Sequence, residues 1–192
     1  MTANLLSLPH DLPVPQDDGG ADHLRGGHLP DVALRATDGS LVSLAKLKGR
    51  TVAYAYPRTG EPGKASLVAD WEAIPGARGC TPQSCDFRDH FSALKALGVD
   101  HVFGLSTQTT DYQKEAVDRL HLPFPILSDA HRAFALAARL PTFEVAGHVL
   151  MKRLSLVIDD GVVTHVIYPV FPPDESARQV IAWLEAPSRA GA

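Results

Sequence analysis

The apolar positions along the chain change period several times, and each change marks an element. Val32, Leu34 and Ala36 alternate with polar residues, Asp38-Gly39 is a turn signal, and Val42 and Leu44 resume the alternation. That pattern predicts a hairpin at the head of the folded domain. The run TVAYAYP (51–57) is β-branched and aromatic and is closed by Pro57, which predicts a buried strand. Helical spacing then takes over. Phe87, Phe91, Leu94 and Leu97 fall on one helical face until Gly98 stops it, with Pro82 in the first turn and Thr81 as the expected N-cap. HVFGLST (101–107) reads as a strand, Asp111 to Leu120 as a polar helix, FPILSD (124–129) as a short strand and AHRAFALAARL (130–140) as a helix. RLSLVID (153–159) and VVTHVIYP (162–169) flank Asp160-Gly161, a strong hairpin signal, and ESARQVIAWLEA (175–186) closes the chain as a helix. Pro141 is read as a loop proline and Phe171 as a packing residue.

Strands separated by helices early, with a hairpin late, predict an α/β fold with a central mixed β-sheet flanked by helices and an N-terminal β-hairpin. Residues 1–27 are rich in Pro, Gly and Asp and read as a flexible leader or a strap over a domain spanning 28–187. The stretch RTGEPGKASLVADWEAIPGARG (58–79) is a long connection for a compact domain, and connections of that length are usually functional or mobile. Its Trp71 and Ile74 are candidates to cover a site, meet a partner or anchor the loop to the core.

The bulk properties narrow the class. A chain of 192 residues with 45% hydrophobic and 21% charged residues suits one globular domain. A net charge of −4 without a basic run argues against a nucleic-acid partner. The opening MTANLLSLPHDLPVPQDDGG has neither Lys nor Arg and no long apolar core, so it reads as neither secretory signal nor membrane anchor. No stretch approaches the roughly 20 apolar residues that span a bilayer. The expected location is the cytoplasm.

Only two cysteines occur, Cys80 and Cys85, and in a reducing cytosol such a pair is more often catalytic or metal-binding than a staple. Cys80 falls at the expected helix start, where free N–H groups and the macrodipole favour a thiolate, so it is the better candidate nucleophile. Cys85 lies about one and a half turns further on. Ideal helix geometry separates the two Cα atoms by roughly 8–9 Å, beyond the roughly 4.4–6.8 Å of a disulfide. The pair can bond only if the helix start unwinds. Other readings stand beside this one. The cysteines could be small buried hydrophobes. A zinc site would need two more ligands, and no His pair has ligand spacing. A thioredoxin-type dithiol would read C-x-x-C rather than C-x4-C.

GCTPQSCDFRDHF resembles the active-site segment of the peroxiredoxins, in particular the peroxiredoxin Q (bacterioferritin comigratory protein) branch, which carries G-C-T-x-x-x-C-x-F-R-D. LPDVALRATDGSLVSLAKLKGRTVAYAYP resembles that branch's opening hairpin and first core strand, and KRLSLVIDDGVVTHVI its later strand pair with an active-site Arg. The likeness covers roughly residues 28 to 185. It implies a thioredoxin-like fold and a thiol-dependent peroxidase acting on hydrogen peroxide or alkyl hydroperoxides. By the same resemblance Cys80 is the peroxidatic cysteine, Cys85 the resolving cysteine that forms an intramolecular disulfide, and Arg153 the guanidinium beside the thiolate. Thioredoxin or glutaredoxin is the implied reductant, and the implied assembly is a monomer or weak dimer. No metal or organic cofactor is expected, because sulfur carries the redox chemistry.

One departure matters. The family pattern P-x-x-x-T-x-x-C would place Thr at position 77 and Pro at 73, where this chain has Ala77 and Ala73. Pro57 and Thr59 stand some twenty residues before Cys80. Either the 58–79 loop folds out and Thr59 supplies the hydroxyl, or the hydroxyl is missing and Thr81, Arg78 or backbone N–H groups near Gly79 hold the peroxide. Two other functions remain open: a protein disulfide oxidoreductase, disfavoured by C-x4-C and Arg153, and a peroxide-sensing module, kept open by Ala77.

Overall fold

The computed structural model describes residues 5–186. A seven-stranded sheet carries the architecture, built from β1 (Leu34–Ala36), β2 (Leu41–Val42), β3 (Arg50–Ala55), β4 (His101–Ser106), β5 (Ile126–Ser128), β8 (Leu154–Asp159) and β9 (Val162–Ile167) in the order β2-β1-β5-β4-β3-β8-β9. β3 runs parallel to β4 and antiparallel to β8, so the sheet is mixed. Its helices are α1 (Cys80–Asp89), α2 (Phe91–Ala96), α3 (Thr110–Leu120), α4 (Ala133–Ala138) and α5 (Ser176–Glu185).

The alternation along β3 divides the core. Val52, Tyr54 and Tyr56 face a layer holding Phe87 of α1, Leu94 of α2, Leu120 of α3 and Val180 of α5. Ala53 and Ala55 face the opposite layer, with Phe134 and Ala138 of α4. Both faces of the central strand are therefore buried, as its nearly unbroken apolar run requires. The two predicted hairpins form. β1 pairs β2 antiparallel, and β8 pairs β9 across Asp160-Gly161, both at positive φ.

The structure corrects four details. The single helix expected from Thr81 to Leu97 breaks at His90 (φ −101°, ψ 7°) into α1 and α2. The N-cap of α1 is Gly79 rather than Thr81, because Gly79 turns the chain at φ 106°, where a side chain is strained. α4 is shorter than the expected 130–140 helix, with Arg132 and Arg139 left-handed at its two ends. A hairpin of β6 (Thr142–Val145) and β7 (His148–Met151) follows Pro141, unannounced by any turn pair of the Asn-Gly type.

The segment before residue 28 lies along the domain. Ala21 and Leu24 enter the core, Asp18 pairs with Lys152 at 2.5 Å, and Ser7 accepts a bond from Arg78 through its carbonyl. Residues 1–4 of the expected leader and residue 187 of the expected domain lie outside the described residues. The long connection has its own small core, in which Trp71 and Ile74 pack with Ala77, Leu150, Phe143 and Val145. Trp71 and Ile74 therefore anchor the loop on the β6–β7 hairpin. Among the described residues no helix is long and apolar enough to cross a membrane.

Candidate active site

α1 begins at the C-terminal edge of β3 and projects Cys80 toward the loop that leaves that strand. Gly79 makes this entry possible. A Cβ there would overlap Pro173 and crowd Leu8, so the chain passes through a gap only glycine fits. Inside the helix, Ser84 Oγ donates to the Cys80 carbonyl at 3.1 Å and accepts from Tyr54 Oη at 3.1 Å, tying the first turn to β3. The Tyr54 ring stacks on Phe87 at 4.2 Å between centroids. Asp86 accepts from the Ala177 amide at 2.6 Å and so fastens α1 to the start of α5. Burial pushes the Asp86 carboxyl up, against the pull of that bond and of His90 and Arg178.

Cys80 is buried, and its Sγ is ringed by polar groups. Arg153 Nη2 lies at 3.3 Å, the Arg58 amide at 3.4 Å and the Ala77 carbonyl at 3.5 Å. Arg153 is itself buried and heavily committed. Nη2 also donates to the carbonyls of Gly76 and Arg78, both at 3.1 Å, and Nη1 donates to Gln83 Oε1. Gln83 in turn donates to Ser176 Oγ at 3.1 Å, and Ser176 Oγ meets Ser155 Oγ at 3.0 Å. A guanidinium N–H and a backbone amide N–H are thus aimed at one sulfur, with the Ala77 carbonyl as a third polar neighbour.

A small cavity of about 40 Å³ opens over Cys80, lined by Arg58, Thr59, Trp71, Arg78, Gly79, Thr81 and Tyr112 among others. One water needs roughly 10–15 Å³ by this measure, so the space holds a few heavy atoms beside the sulfur. Five of the predicted residues, Cys80, Arg153, Thr59, Thr81 and Gly79, come together here. Pro57 is buried just before the loop and is not among the residues that line the cavity. Thr59 does fold back to the site, but its Oγ1 donates to Gln108 Oε1 at 3.1 Å, so its proton is directed away from the cavity. At position 77 there is no hydroxyl: the Ala77 methyl packs with Trp71 and Leu150.

Cys85 sits on the same helix and is half-buried; both cysteines are free thiols. Burial pushes the Cys85 thiol up, partly offset by Arg88. Since both residues lie within α1, the helical separation expected from the sequence holds.

Three neighbours of the site carry no sequence signal of their own. Arg58 follows Pro57 as an ordinary loop residue, yet it supplies an amide to Cys80 and lays its guanidinium over the Tyr112 ring at 4.5 Å. Gln83 and Gln108 are recognisable only once the fold brings Arg153 and Thr59 to them.

Comparison with known proteins bears on this arrangement. The Redoxin family pattern matches residues 24–181. The chloroplastic peroxiredoxin Q of Oryza sativa subsp. japonica is 31% identical over 164 residues, covering 84% of this chain and 67% of that protein. This chain belongs to the peroxiredoxin Q branch of the redoxin family. It is accordingly an oxidoreductase of the thiol peroxidase class. Among solved structures, peroxidoxin BcpB from Mycobacterium tuberculosis superposes with a TM-score of 0.66 at 25% identity, covering 84% of this chain and 96% of that one. Peroxiredoxin Q of Xanthomonas campestris superposes with a TM-score of 0.62 at 19% identity, covering 92% and 98%, and at that identity it speaks for the fold. The thioredoxin-like architecture expected of a peroxiredoxin is thus the one observed.

Proposed function

We propose that this peroxiredoxin reduces hydrogen peroxide or small alkyl hydroperoxides in a two-cysteine cycle. The Cys80 thiolate attacks the terminal peroxide oxygen. The O–O bond breaks, sulfur is oxidised to a sulfenic acid, and the remaining oxygen takes a proton and leaves as water or an alcohol. The Cys85 sulfur then attacks the sulfenic sulfur, expels water and closes a Cys80–Cys85 disulfide. Because helical geometry keeps the two apart, this step follows unwinding of the start of α1. An external dithiol returns both thiols by exchange, and thioredoxin or glutaredoxin has the required chemistry.

The observation that carries this reading is the convergence of Arg153 Nη2 and the Arg58 amide on Cys80 Sγ at 3.3 and 3.4 Å, under a cavity of peroxide size. Arg153 has a second use, since a guanidinium beside the sulfur also polarises the leaving oxygen. Gly79 and Thr81 line the cavity over the sulfur, and Pro57 with Thr59 sets the path of the loop that returns Arg58 to it. The enzyme works as a monomer or weak dimer in a compartment reducing enough to recycle the disulfide, which for this chain is the cytoplasm. The test is peroxide consumption with a thiol reductant in excess. Cys80→Ser abolishes it; full turnover by that variant removes the reading.

A further inference from the structure

Gln108 holds Thr59 by three bonds. Its Oε1 accepts from the Thr59 amide at 2.9 Å and from Thr59 Oγ1 at 3.1 Å, while its Nε2 donates to the Thr59 carbonyl at 3.3 Å. Both residues are almost fully buried, at 4% and 1% exposure, so water does not replace these bonds. The pattern also fixes the amide's orientation. Turned over, Nε2 would face the Thr59 N–H, donor against donor. A glutamine amide presents a C=O and an N–H much as a peptide does. Gln108 therefore pairs with residue 59 as a neighbouring strand would, beyond the Tyr56–Leu105 bond where the backbone pairing next to β3 ends.

Gln108 is itself held fast. Its backbone N–H donates to Ser106 Oγ at 3.3 Å and its backbone carbonyl accepts from Ser128 Oγ at 2.7 Å. Just past it, Tyr112 on α3 receives the Arg58 guanidinium on its ring. Residues 58 and 59 are thus gripped by the side chains of Gln108 and Tyr112, both beyond Leu105, where the backbone pairing ends. The atom this grip aims is the Arg58 N–H, which points at Cys80 Sγ.

We propose that Gln108 is a positioning residue for the peroxidase reaction. By clasping Thr59 it orients the Arg58 N–H onto the Cys80 thiolate, and it makes good the donor lost where Ala77 replaces a threonine. The inference rests on the reading of Cys80 as the attacking sulfur. It assigns Thr59 a role through its backbone, with the hydroxyl as one leg of the clasp.

Two variants and one wild-type measurement test this. Gln108→Met keeps the side-chain volume and removes all three bonds. It slows sulfenic acid formation at Cys80 in single-turnover stopped flow by about tenfold, the worth of one hydrogen bond to a charged group, and moves the thiolate ultraviolet titration to higher pH. Thr59→Val removes only the hydroxyl leg, leaves the two backbone bonds of the clasp, and costs less than Gln108→Met in both readouts. A lowered melting temperature for Gln108→Met with unchanged rate and titration reduces Gln108 to a structural residue and overturns the proposal. Thr59→Val losing as much as Gln108→Met overturns it too, by making the hydroxyl the acting group. In the unmodified protein, labelled with ¹⁵N, the Arg58 amide resonance follows ionisation of Cys80. An Arg58 amide indifferent to that ionisation contradicts the proposal even if both variants fail to fold. Failure of Cys80 itself to react with peroxide would instead remove the functional reading beneath it.

Discussion

Arg153 and Cys80 are joined through a single nitrogen. Nη2 stands 3.3 Å from the sulfur and at the same time binds the carbonyls of Gly76 and Arg78 at 3.1 Å. One group thus fixes both the thiol and the loop that delivers it to the helix. A lysine offers one nitrogen on a flexible stem in place of a planar fork, and so cannot also hold Gln83 as Nη1 does. Arg153→Lys should lower the second-order rate constant with hydrogen peroxide by about a hundredfold, as loss of a charge-stabilising donor does elsewhere. Stopped-flow oxidation kinetics of Cys80 measure it, and a rate within threefold of wild type, about 0.7 kcal/mol, would detach Arg153 from the chemistry.

Gly79 sits at φ 106°, and a Cβ there would run into Pro173. Gly79→Ala should destabilise the reduced protein by about 1–3 kcal/mol from backbone strain alone. Denaturant unfolding measures the shift, and a change under 0.5 kcal/mol would mean that the entry to α1 rearranges freely.

The Cys85 thiol is pushed up by burial. At neutral pH it is therefore held protonated, and its thiolate fraction grows as pH rises toward and past the usual thiol range. Disulfide closure, followed after a single addition of peroxide, should accelerate from about pH 7 to 9. Closure that slows over that range would exclude Cys85 as the attacking thiolate of the second step.

Release of the first turn of α1 must disturb what lies on it. The N-terminal segment touches that turn where Leu8 meets Gly79 and where the Ser7 carbonyl takes a bond from Arg78. Hydrogen exchange of residues 5–18 should therefore be faster in the disulfide form than in the dithiol form. Equal protection in the two forms would mean that the helix start opens without moving the strap.

Much of this was readable in the chain itself. A helix start at the two cysteines, the strand that follows Arg153 and the Asp160-Gly161 hairpin all depend on local pattern, and these elements form within a residue of where the sequence puts them. The β6–β7 hairpin was not readable, because its strands are four residues each with half-exposed faces and its turn is Ala146-Gly147. The break at His90 was hidden because Phe87, Phe91 and Leu94 keep helical spacing across it. The site residues that sequence missed share one physical cause. Arg58, Gln83 and Gln108 act through contacts with residues 22, 70 and 49 positions away, which no local period records. Thr59 returns to the site, which was one of the two paths the sequence left open for the loop, but no local pattern records that its hydroxyl is taken by Gln108.

The central claim is that Cys80 is oxidised first and Cys85 resolves it within the same chain. Peptide mapping by mass spectrometry after one equivalent of hydrogen peroxide tests this most directly. The account predicts a Cys80–Cys85 disulfide in the wild-type protein and a trapped sulfenic acid at Cys80 in Cys85→Ser. Two unreacted thiols, or oxidation found on Cys85 while Cys80 stays reduced, would contradict it.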